Sequence, residues 1–174
     1  IVLDGWGHGP KDEKVNAIFK ANTPFVDSLY CNYPNSELMT CGEFVGLPEG
    51  QMGNSEVGHL NIGAGRVVYQ QLVLINKAFA EATVKDNSVL KNALVYAKEN
   101  NKKVHLIGLV SDGGIHSHIN HLKGLIEFFV DENFNKLFIH AFTDGRDTDP
   151  QSGKDFLADL QNFTKDHTGN IASV

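Results

Sequence analysis

The sequence predicts an α/β fold built on a parallel sheet. Between residues 104 and 174, short apolar runs alternate with segments of helical periodicity in the order βαβαβ. Loops that contain Asp and Gly follow two of these apolar runs, as is typical of the carboxyl ends of parallel strands. A hydrophobic share of 41% over 174 residues provides enough apolar surface for a core.

The first part of the chain predicts short elements separated by loops. Its opening apolar run is typical of the second half of a buried strand, and Asp4 stands where that strand ends. Pro24 interrupts the apolar periodicity that follows, so two short helical pieces are expected there. In chain order we expect a strand at 1–3, two helical pieces within 15–30, a short strand at 37–40, a loop over 42–53 and a helix from Asn54 or Ser55 to 63–65.

The second part predicts longer elements. The stretch from 67 to 72 joins the two parts and is the expected boundary. Both ends of the chain lie within apolar runs, and there is no initial Met, so we expect a segment of a longer protein. The elements expected here are helices at 70–82 and 86–100, a strand at 104–110, a helix at 119–129, a strand at 136–142, a helix at 153–165 and a strand that begins near 170.

Composition argues against several classes of function. A formal net charge of -6, with Lys102-Lys103 as the longest basic run, does not fit a nucleic-acid-binding protein. Apolar runs are too short for a membrane helix or a signal peptide. The two cysteines, Cys31 and Cys41, have no metal-ligand spacing and are expected to be reduced. The composition therefore predicts a soluble cytoplasmic protein without nucleic-acid or membrane partners.

Ser55 is a candidate nucleophile. It follows a glycine-rich loop and begins a predicted helix, whose positive end favours an alkoxide and an attached phosphate. The alternative is that Ser55 only caps the helix, which is a common role for serine. Asp4, at the end of the first predicted strand, is either a ligand for a hard metal ion or a residue that caps its loop. A metal ion held by both residues would activate the serine, as in metal-dependent phosphatases.

Three histidines follow the strand at 104–110. His116, His118 and His121 lie close enough in sequence to suggest a zinc site. Against it, the run lacks the aspartate that zinc hydrolases of the His-x-His-x-Asp-His kind place between their histidines, and His121 lies on the following predicted helix. The alternative is that His116 donates hydrogen bonds to a phosphate or carboxylate, while His118 and His121 cap or pack against a helix.

The loop after the next strand carries Arg146 and Asp147. The planar guanidinium suits a phosphate or carboxylate, and the aspartate can fix its rotamer or accept a substrate hydroxyl. Alternatively, the segment is only a charged turn. Since consecutive parallel strands end at one edge of a sheet, His116 and Arg146 are expected at a shared anion site.

Four segments of the sequence form a distinctive set. They are Asp4-Gly5-Trp6-Gly7, the block from Glu49 to Arg66 that contains Met-Gly-Asn-Ser-Glu-Val-Gly-His, Ser111 to His118, and Asp144 to Asp147. Together they resemble one family, the 2,3-bisphosphoglycerate-independent phosphoglycerate mutases. They occur in the family's order and at its approximate spacing, and the resemblance spans essentially the whole chain.

The resemblance implies a phosphoryl transfer that interconverts 3-phosphoglycerate and 2-phosphoglycerate in glycolysis and gluconeogenesis. Ser55 would be the serine that is transiently phosphorylated, and Asp4 and Ser55 would both bind one of two manganese ions. His116, Arg146 and Asp147 would bind the substrate, and 2,3-bisphosphoglycerate would not be needed.

The resemblance also implies two domains. Residues 1–69 would begin an alkaline-phosphatase-like domain, and residues 70–174 would begin the phosphoglycerate transferase domain. The remaining metal ligands, together with further arginines and a lysine of the substrate pocket, would lie outside this sequence, so the 174 residues alone are expected to be inactive. A monomeric, cytoplasmic enzyme is expected.

Two other hypotheses remain open at this point. A metal-dependent phosphohydrolase or sulfatase-like enzyme would share the serine and aspartate but release phosphate to water. A non-catalytic α/β anion-binding domain would need neither. Changing His116 and Arg146 together distinguishes them, because only a mutase depends on both residues for turnover.

Overall fold

The computed structural model describes all residues from 1 to 174. Contacts within the chain group into two compact units, Ile1–Val68 and Tyr69–Val174. The division falls within the stretch 67–72, where the sequence predicts a boundary.

The first unit is helical, with long loops. Its helices are α1 (Ala17–Lys20), α2 (Pro24–Asn32) and α3 (Ser55–Ala64), with a 3-10 turn at Gly42–Val45. These agree with the two helical pieces, the loop and the helix expected from the sequence. Its buried apolar cluster is small and consists of Val45, Leu47 and Val57, which pack α3 against the 3-10 turn.

Two strands expected in the first unit do not form. Residues 1–3 and 37–40 are exposed and adopt no regular structure. The apolar pattern of each segment fits a strand, but a strand is stable only when a neighbour accepts and donates its backbone hydrogen bonds. The first unit contains no strand that could serve as this neighbour.

The second unit has the βαβαβ order that the sequence predicts, after two preceding helices. Its three strands form one parallel sheet in the order β1-β2-β3, so the α/β class is confirmed. The elements are α4 (Gln71–Ala80), a 3-10 turn at Thr83–Asp86, α5 (Ser88–Glu99), β1 (Val104–Val110), α6 (Ile119–Asp131), β2 (Leu137–Thr143), α7 (Gly153–Asp166) and β3 (Asn170–Ser173).

The main core lies between one face of this sheet and the helices that follow its strands. Alternate residues of β2 point into it, since Leu137, Ile139 and Ala141 are all buried. Ile126 of α6 and Leu160 of α7 are buried in the same cluster. This alternation is the period of two that a strand with one covered face requires.

The carboxyl ends of β1 and β2 lie side by side, because Val110 pairs with Thr143 at the end of the parallel ladder. The loops that follow these strands therefore start next to each other. Along the whole chain, no helix combines the length and apolarity needed to cross a membrane.

Candidate active site

Ser55 is the first residue of α3, and its neighbour Asn54 caps the helix. The Asn54 side chain accepts a hydrogen bond from the backbone N–H of Val57 at 3.1 Å. The cap position is thus filled by Asn54, so the alternative role of Ser55 as the capping residue is not needed. The Ser55 side chain is exposed at the positive end of the helix.

The Ser55 hydroxyl donates a hydrogen bond to Asp4. Its Oγ lies 2.7 Å from Asp4 Oδ2, although 51 positions separate the two residues. A turn at 3–6 holds Asp4 in place, where the N–H of Trp6 donates to the carbonyl of Leu3 at 3.1 Å. The structure therefore brings the predicted nucleophile and the predicted metal ligand into direct contact.

His59 lies beside Ser55, one helical turn further on. Its Nδ1 lies 2.8 Å from the Ser55 carbonyl oxygen and 3.1 Å from Ser55 Oγ. A carbonyl oxygen only accepts hydrogen bonds, so the tautomer that satisfies the shorter contact carries its proton on Nδ1. In that state Nδ1 cannot take a proton from Ser55. Sequence reasoning did not single out His59, although its i, i+4 spacing from Ser55 places both on one helix face.

The donor set of Asp4 and Ser55 fits a hard divalent cation. A carboxylate and a serine oxygen, both exposed and 2.7 Å apart, are ligands that manganese and magnesium accept. Among the residues of this chain, no three His, Cys, Asp or Glu side chains are grouped so that they could hold a metal ion. This chain thus offers two oxygen ligands to an ion rather than a complete site.

Ser111 is the residue at which β1 passes into its loop. Only 1% of it is exposed, and its Oγ donates a hydrogen bond to Asp144 Oδ2 at 2.7 Å. Asp144 begins the loop after β2, so this contact joins the two loops. Sequence reasoning did not find this pairing. The available signal was a polar residue directly after each of two apolar runs.

Asp144 also organises its own loop. Its Oδ1 accepts hydrogen bonds from the backbone N–H groups of Gly145, Arg146 and Asp147, at 2.7, 3.0 and 3.2 Å. The Ser111 hydrogen bond, followed by those from Arg146 and Asp147, holds the pKa of the Asp144 carboxyl well below its usual range. Asp144 is therefore ionised and fully engaged with the protein.

Two of the predicted substrate ligands lie close together across the two loops. His116 Nε2 is 3.8 Å from Asp147 Oδ2; the His116 side chain is exposed, and that of Asp147 is 14% exposed. Arg146 is exposed, and its guanidinium forms no ion pair within the chain. The edge of the sheet thus carries an accessible imidazole, an accessible guanidinium and a carboxylate.

His118 and His121 take the packing roles that the sequence left as one alternative. His118 caps α6, where its Nδ1 accepts from the N–H of Asn120 at 3.2 Å. His121 stacks on Phe79 of α4 and contacts Asn76 Oδ1 through Nε2 at 2.5 Å. Burial, with a smaller effect of His118, lowers the pKa of His121.

Comparison with known proteins identifies the family. The family model described as BPG-independent PGAM N-terminus matches residues 75–174. The 2,3-bisphosphoglycerate-independent phosphoglycerate mutase of Flavobacterium johnsoniae is 58% identical over all 174 residues, and that of Clostridium perfringens strain 13 is 53% identical over 175 aligned positions. The chain spans about a third of the length of these curated relatives, 34% in each case.

A solved structure has the same fold. Phosphoglycerate mutase from Leishmania mexicana, crystallised at low cobalt concentration, aligns with 98% of this chain and 32% of its own chain, with a TM-score of 0.66 and 34% sequence identity. Its similarity covers both units of the chain. Together with the match of the family model, this means that the chain belongs to the family of the N-terminal region of 2,3-bisphosphoglycerate-independent phosphoglycerate mutases.

Proposed function

We propose that the protein containing this chain interconverts 3-phosphoglycerate and 2-phosphoglycerate by way of a phosphorylated Ser55. Similarity to curated mutases over all 174 residues supports the choice of substrate. The structural observation that carries the chemistry is the 2.7 Å contact between Ser55 Oγ and Asp4 Oδ2 at the start of α3. In this proposal the first unit belongs to an alkaline-phosphatase-like domain and the second to the transferase domain.

Ser55 is the nucleophile in this proposal. Its position at the first residue of α3 places the phosphorylated oxygen at the positive end of a helix dipole, which favours the added negative charge. Asp4 and Ser55 would hold one of two manganese ions. When bound, such an ion supplies positive charge that eases ionisation of the serine hydroxyl and offsets the charge of the phosphoryl group in transfer.

His116, Arg146 and Asp147 recognise the rest of the substrate. Arg146 has a guanidinium free of ion pairs and can form paired hydrogen bonds with the carboxylate of glycerate. His116 is exposed and can donate to the same anion, while Asp147 can accept from a glycerate hydroxyl. These residues keep the glycerate bound while it reorients between two transfers.

The two transfers balance as a net isomerisation. In the first, Ser55 Oγ loses its proton and bonds to phosphorus as the bond between phosphorus and the 3-oxygen breaks, and the 3-oxygen takes up a proton. In the second, the 2-hydroxyl loses a proton and bonds to phosphorus as the bond between phosphorus and Ser55 Oγ breaks, and Oγ regains a proton. No 2,3-bisphosphoglycerate enters the scheme.

Ser55→Ala tests the proposal, and Ser88→Ala is its matched control. Both serines are exposed first residues of a helix capped by a preceding asparagine, Asn54 in α3 and Asn87 in α5. In the gene product that contains this sequence, Ser55→Ala should lower turnover of 3-phosphoglycerate by at least about a thousand-fold, because it removes the nucleophile. Ser88→Ala should keep wild-type turnover. Chelation of divalent metal should abolish activity, and added manganese should restore it.

The opposite results identify the alternatives. A wild-type protein that forms no 2-phosphoglycerate but releases phosphate would be a phosphohydrolase. In that case the double variant His116→Gln with Arg146→Gln would change the rate little, whereas in a mutase it should abolish turnover and leave phosphorylation of Ser55 partly intact. Full activity of Ser55→Ala would refute the serine mechanism.

The proposal includes three further expectations. They are manganese as the metal ion, which the family resemblance alone implies, a monomeric enzyme and a cytoplasmic location. A chain limited to these 174 residues should be inactive, because it supplies only Asp4 and Ser55 as metal ligands. Turnover measured with manganese, magnesium and cobalt in turn checks the metal. The mass of the protein in solution checks the monomeric state.

A further inference from the structure

We propose that Ser111 and Asp144 are positioning residues, which lock the loops after β1 and β2 together and so fix His116 relative to Arg146 and Asp147 for binding a phosphoglycerate anion. This inference rests on the proposed function. We call the hydrogen bond between Ser111 Oγ and Asp144 Oδ2 the interloop link. Neither residue is one of the proposed substrate ligands.

The burial of Ser111 indicates that the interloop link is a built feature. Ser111 is the one polar residue among the buried residues of the chain, at 1% exposure, and its hydroxyl donates to Asp144 at 2.7 Å. A buried hydroxyl without a partner costs free energy, so this side chain fits its site only with the carboxylate in place. A hydrogen bond to a charged acceptor is also stronger than one between neutral groups.

Asp144 transmits this constraint to the residues that bind substrate. One carboxylate oxygen accepts from Ser111, and the other accepts from three consecutive N–H groups, including those of Arg146 and Asp147. A single rigid group thus joins the end of β1 to the backbone from which the Arg146 and Asp147 side chains extend. The negatively charged carboxylate of Asp144 accepts all four of these hydrogen bonds.

Gly113 provides an independent contact between the same loops. A Cβ atom at this position would lie 3.0 Å from Asp147 Cβ and 3.4 Å from Asp144 Oδ2. The loops therefore meet so closely that a side chain at position 113 would displace Asp147. Together with the 3.8 Å approach of His116 to Asp147, this contact shows that the spacing between the loops is set at several points.

The chemistry of the link suggests which variants preserve it. In Asp144→Asn, the amide oxygen can still accept from the three backbone N–H groups, and the amide nitrogen can donate to the Ser111 hydroxyl, which also accepts. Asp144→Ala and Ser111→Ala both remove the link. If the proposal is right, variants that lose the interloop link should have a raised KM, whereas a variant that loses only the charge should not.

The test uses the gene product that contains this sequence and measures KM and kcat for 3-phosphoglycerate. Ser111→Ala and Asp144→Ala should each raise KM about ten-fold or more, the usual effect of losing a hydrogen bond to a charged group. Asp144→Asn should stay within about three-fold of the wild-type KM, since the hydrogen bond remains. The double variant Ser111→Ala with Asp144→Ala should be no worse than Asp144→Ala alone, because both changes break the same link.

Ser117→Ala is the matched control. Ser117 donates a hydrogen bond of 2.6 Å to the carbonyl of Leu109, which stays within β1 and its loop. Its loss should lower the melting temperature about as much as Ser111→Ala does, without raising KM. An unchanged KM in Ser111→Ala, an equal rise in Ser117→Ala, or an Asp144→Asn variant as impaired as Asp144→Ala would each overturn the proposal. Should Asp144→Ala fail to fold, Ser111→Ala decides the matter, because it removes a single oxygen atom.

Binding separates this inference from the proposed function. The Kd of 3-phosphoglycerate, measured by calorimetry in a Ser55→Ala background, should weaken with Ser111→Ala by the same factor as KM rises. If the wild-type protein binds 3-phosphoglycerate but forms no 2-phosphoglycerate, the proposed function fails and the Kd still tests the link. If the wild-type protein does not bind 3-phosphoglycerate at all, both proposals are wrong.

Discussion

Asp144 is the residue whose ionisation is most strongly tied to the fold. Its carboxylate accepts from Ser111 and from the N–H groups of Arg146, Asp147 and Gly145, and these hydrogen bonds lower its pKa below the usual value. An unfolded aspartate has a pKa of about 3.9. Because the folded value is lower, the charged form stabilises the fold fully above the unfolded pKa, and this contribution is lost as the pH falls through the folded value.

This linkage predicts how Asp144→Asn depends on pH. The difference in the free energy of unfolding between wild type and variant should be constant from about pH 7 to pH 5 and should shrink below about pH 4, where the unfolded carboxyl becomes protonated. Urea unfolding of both proteins, followed by circular dichroism between pH 7 and pH 3, measures this difference in the free energy of unfolding.

Asp149→Asn serves as the control for this measurement. Asp149 lies in the same loop, but its Oδ1 accepts only from the N–H of Gln151. Its variant should lose less stability than Asp144→Asn at pH 7. A difference between wild type and Asp144→Asn that stays constant down to pH 3 would show that the Asp144 charge does not contribute to stability.

At the scale of single residues, the sequence predicts which side chains are suited to the chemistry better than it predicts which residues they contact. Ser55, Asp4, His116 and Arg146 stand out because their chemical types occur at strand ends and a helix start. The Ser111–Asp144 pairing was not predicted, since it depends on the parallel register of β1 and β2, which puts Val110 opposite Thr143. Register is a property of the folded sheet, and no local pattern around Ser111 encodes it.

Helices α4 and α6 pack against each other at Gly124. A Cβ atom there would lie 2.6 Å from two ring carbons of Phe79. The Phe79 ring is half-buried and stacks on His121 with a centroid distance of 5.4 Å, and it would have to shift to admit a side chain at position 124. The absence of a side chain at position 124 thus allows this helix pair to pack.

Gly124→Ala should therefore destabilise the fold by about 1–3 kcal/mol, through overpacking that outweighs the better helix propensity of alanine. The control is Gly63→Ala in α3, where an added Cβ would contact nothing within 4 Å. That variant should gain about 0.5–1 kcal/mol from helix propensity alone. Denaturant unfolding compares the two, and a Gly124→Ala variant more stable than wild type would contradict the packing argument.

At the scale of elements, local pattern predicts the second unit well and the first unit less well. The expected strand at 104–110 is β1, and the expected strand at 136–142 differs from β2 by one residue. Apolar alternation and helical periodicity suffice there because each strand has a parallel neighbour. The strands expected at 1–3 and 37–40 have equally suitable patterns but no partner in their unit, and they do not form.

At the scale of the whole chain, the net charge of -6 would oppose binding of the anionic substrate proposed above. In that proposal, recognition depends on local cations. The chain has two arginines, Arg66 and Arg146, and both are exposed. The Arg66 guanidinium donates to the backbone carbonyl of Val67 at 3.2 Å and lies in the first unit. Arg146 lies in the second, at the carboxyl edge of the sheet.

Arg146→Gln should weaken binding of 3-phosphoglycerate by about 10- to 100-fold, the usual effect of losing a charged hydrogen-bond donor. Arg66→Gln removes the same charge and should leave the Kd within about two-fold, since net charge alone acts weakly at physiological salt. Calorimetry in a Ser55→Ala background measures both. Equal weakening by the two variants would mean that overall charge, rather than a site at the sheet edge, governs binding.

The order of the strands in the sheet is the same as their order in the chain, β1, β2 and then β3. Each crossover contains one helix. The first joins strands in which Val104 pairs with Leu137, and the second joins strands in which Ile139 pairs with Ile171. During synthesis, β1 can thus pair with β2 as soon as α6 and β2 have left the ribosome, without waiting for a strand made much later. Loop closure over such short distances costs little entropy. The second unit, which carries the loops with His116 and Arg146, is therefore suited to fold early during translation.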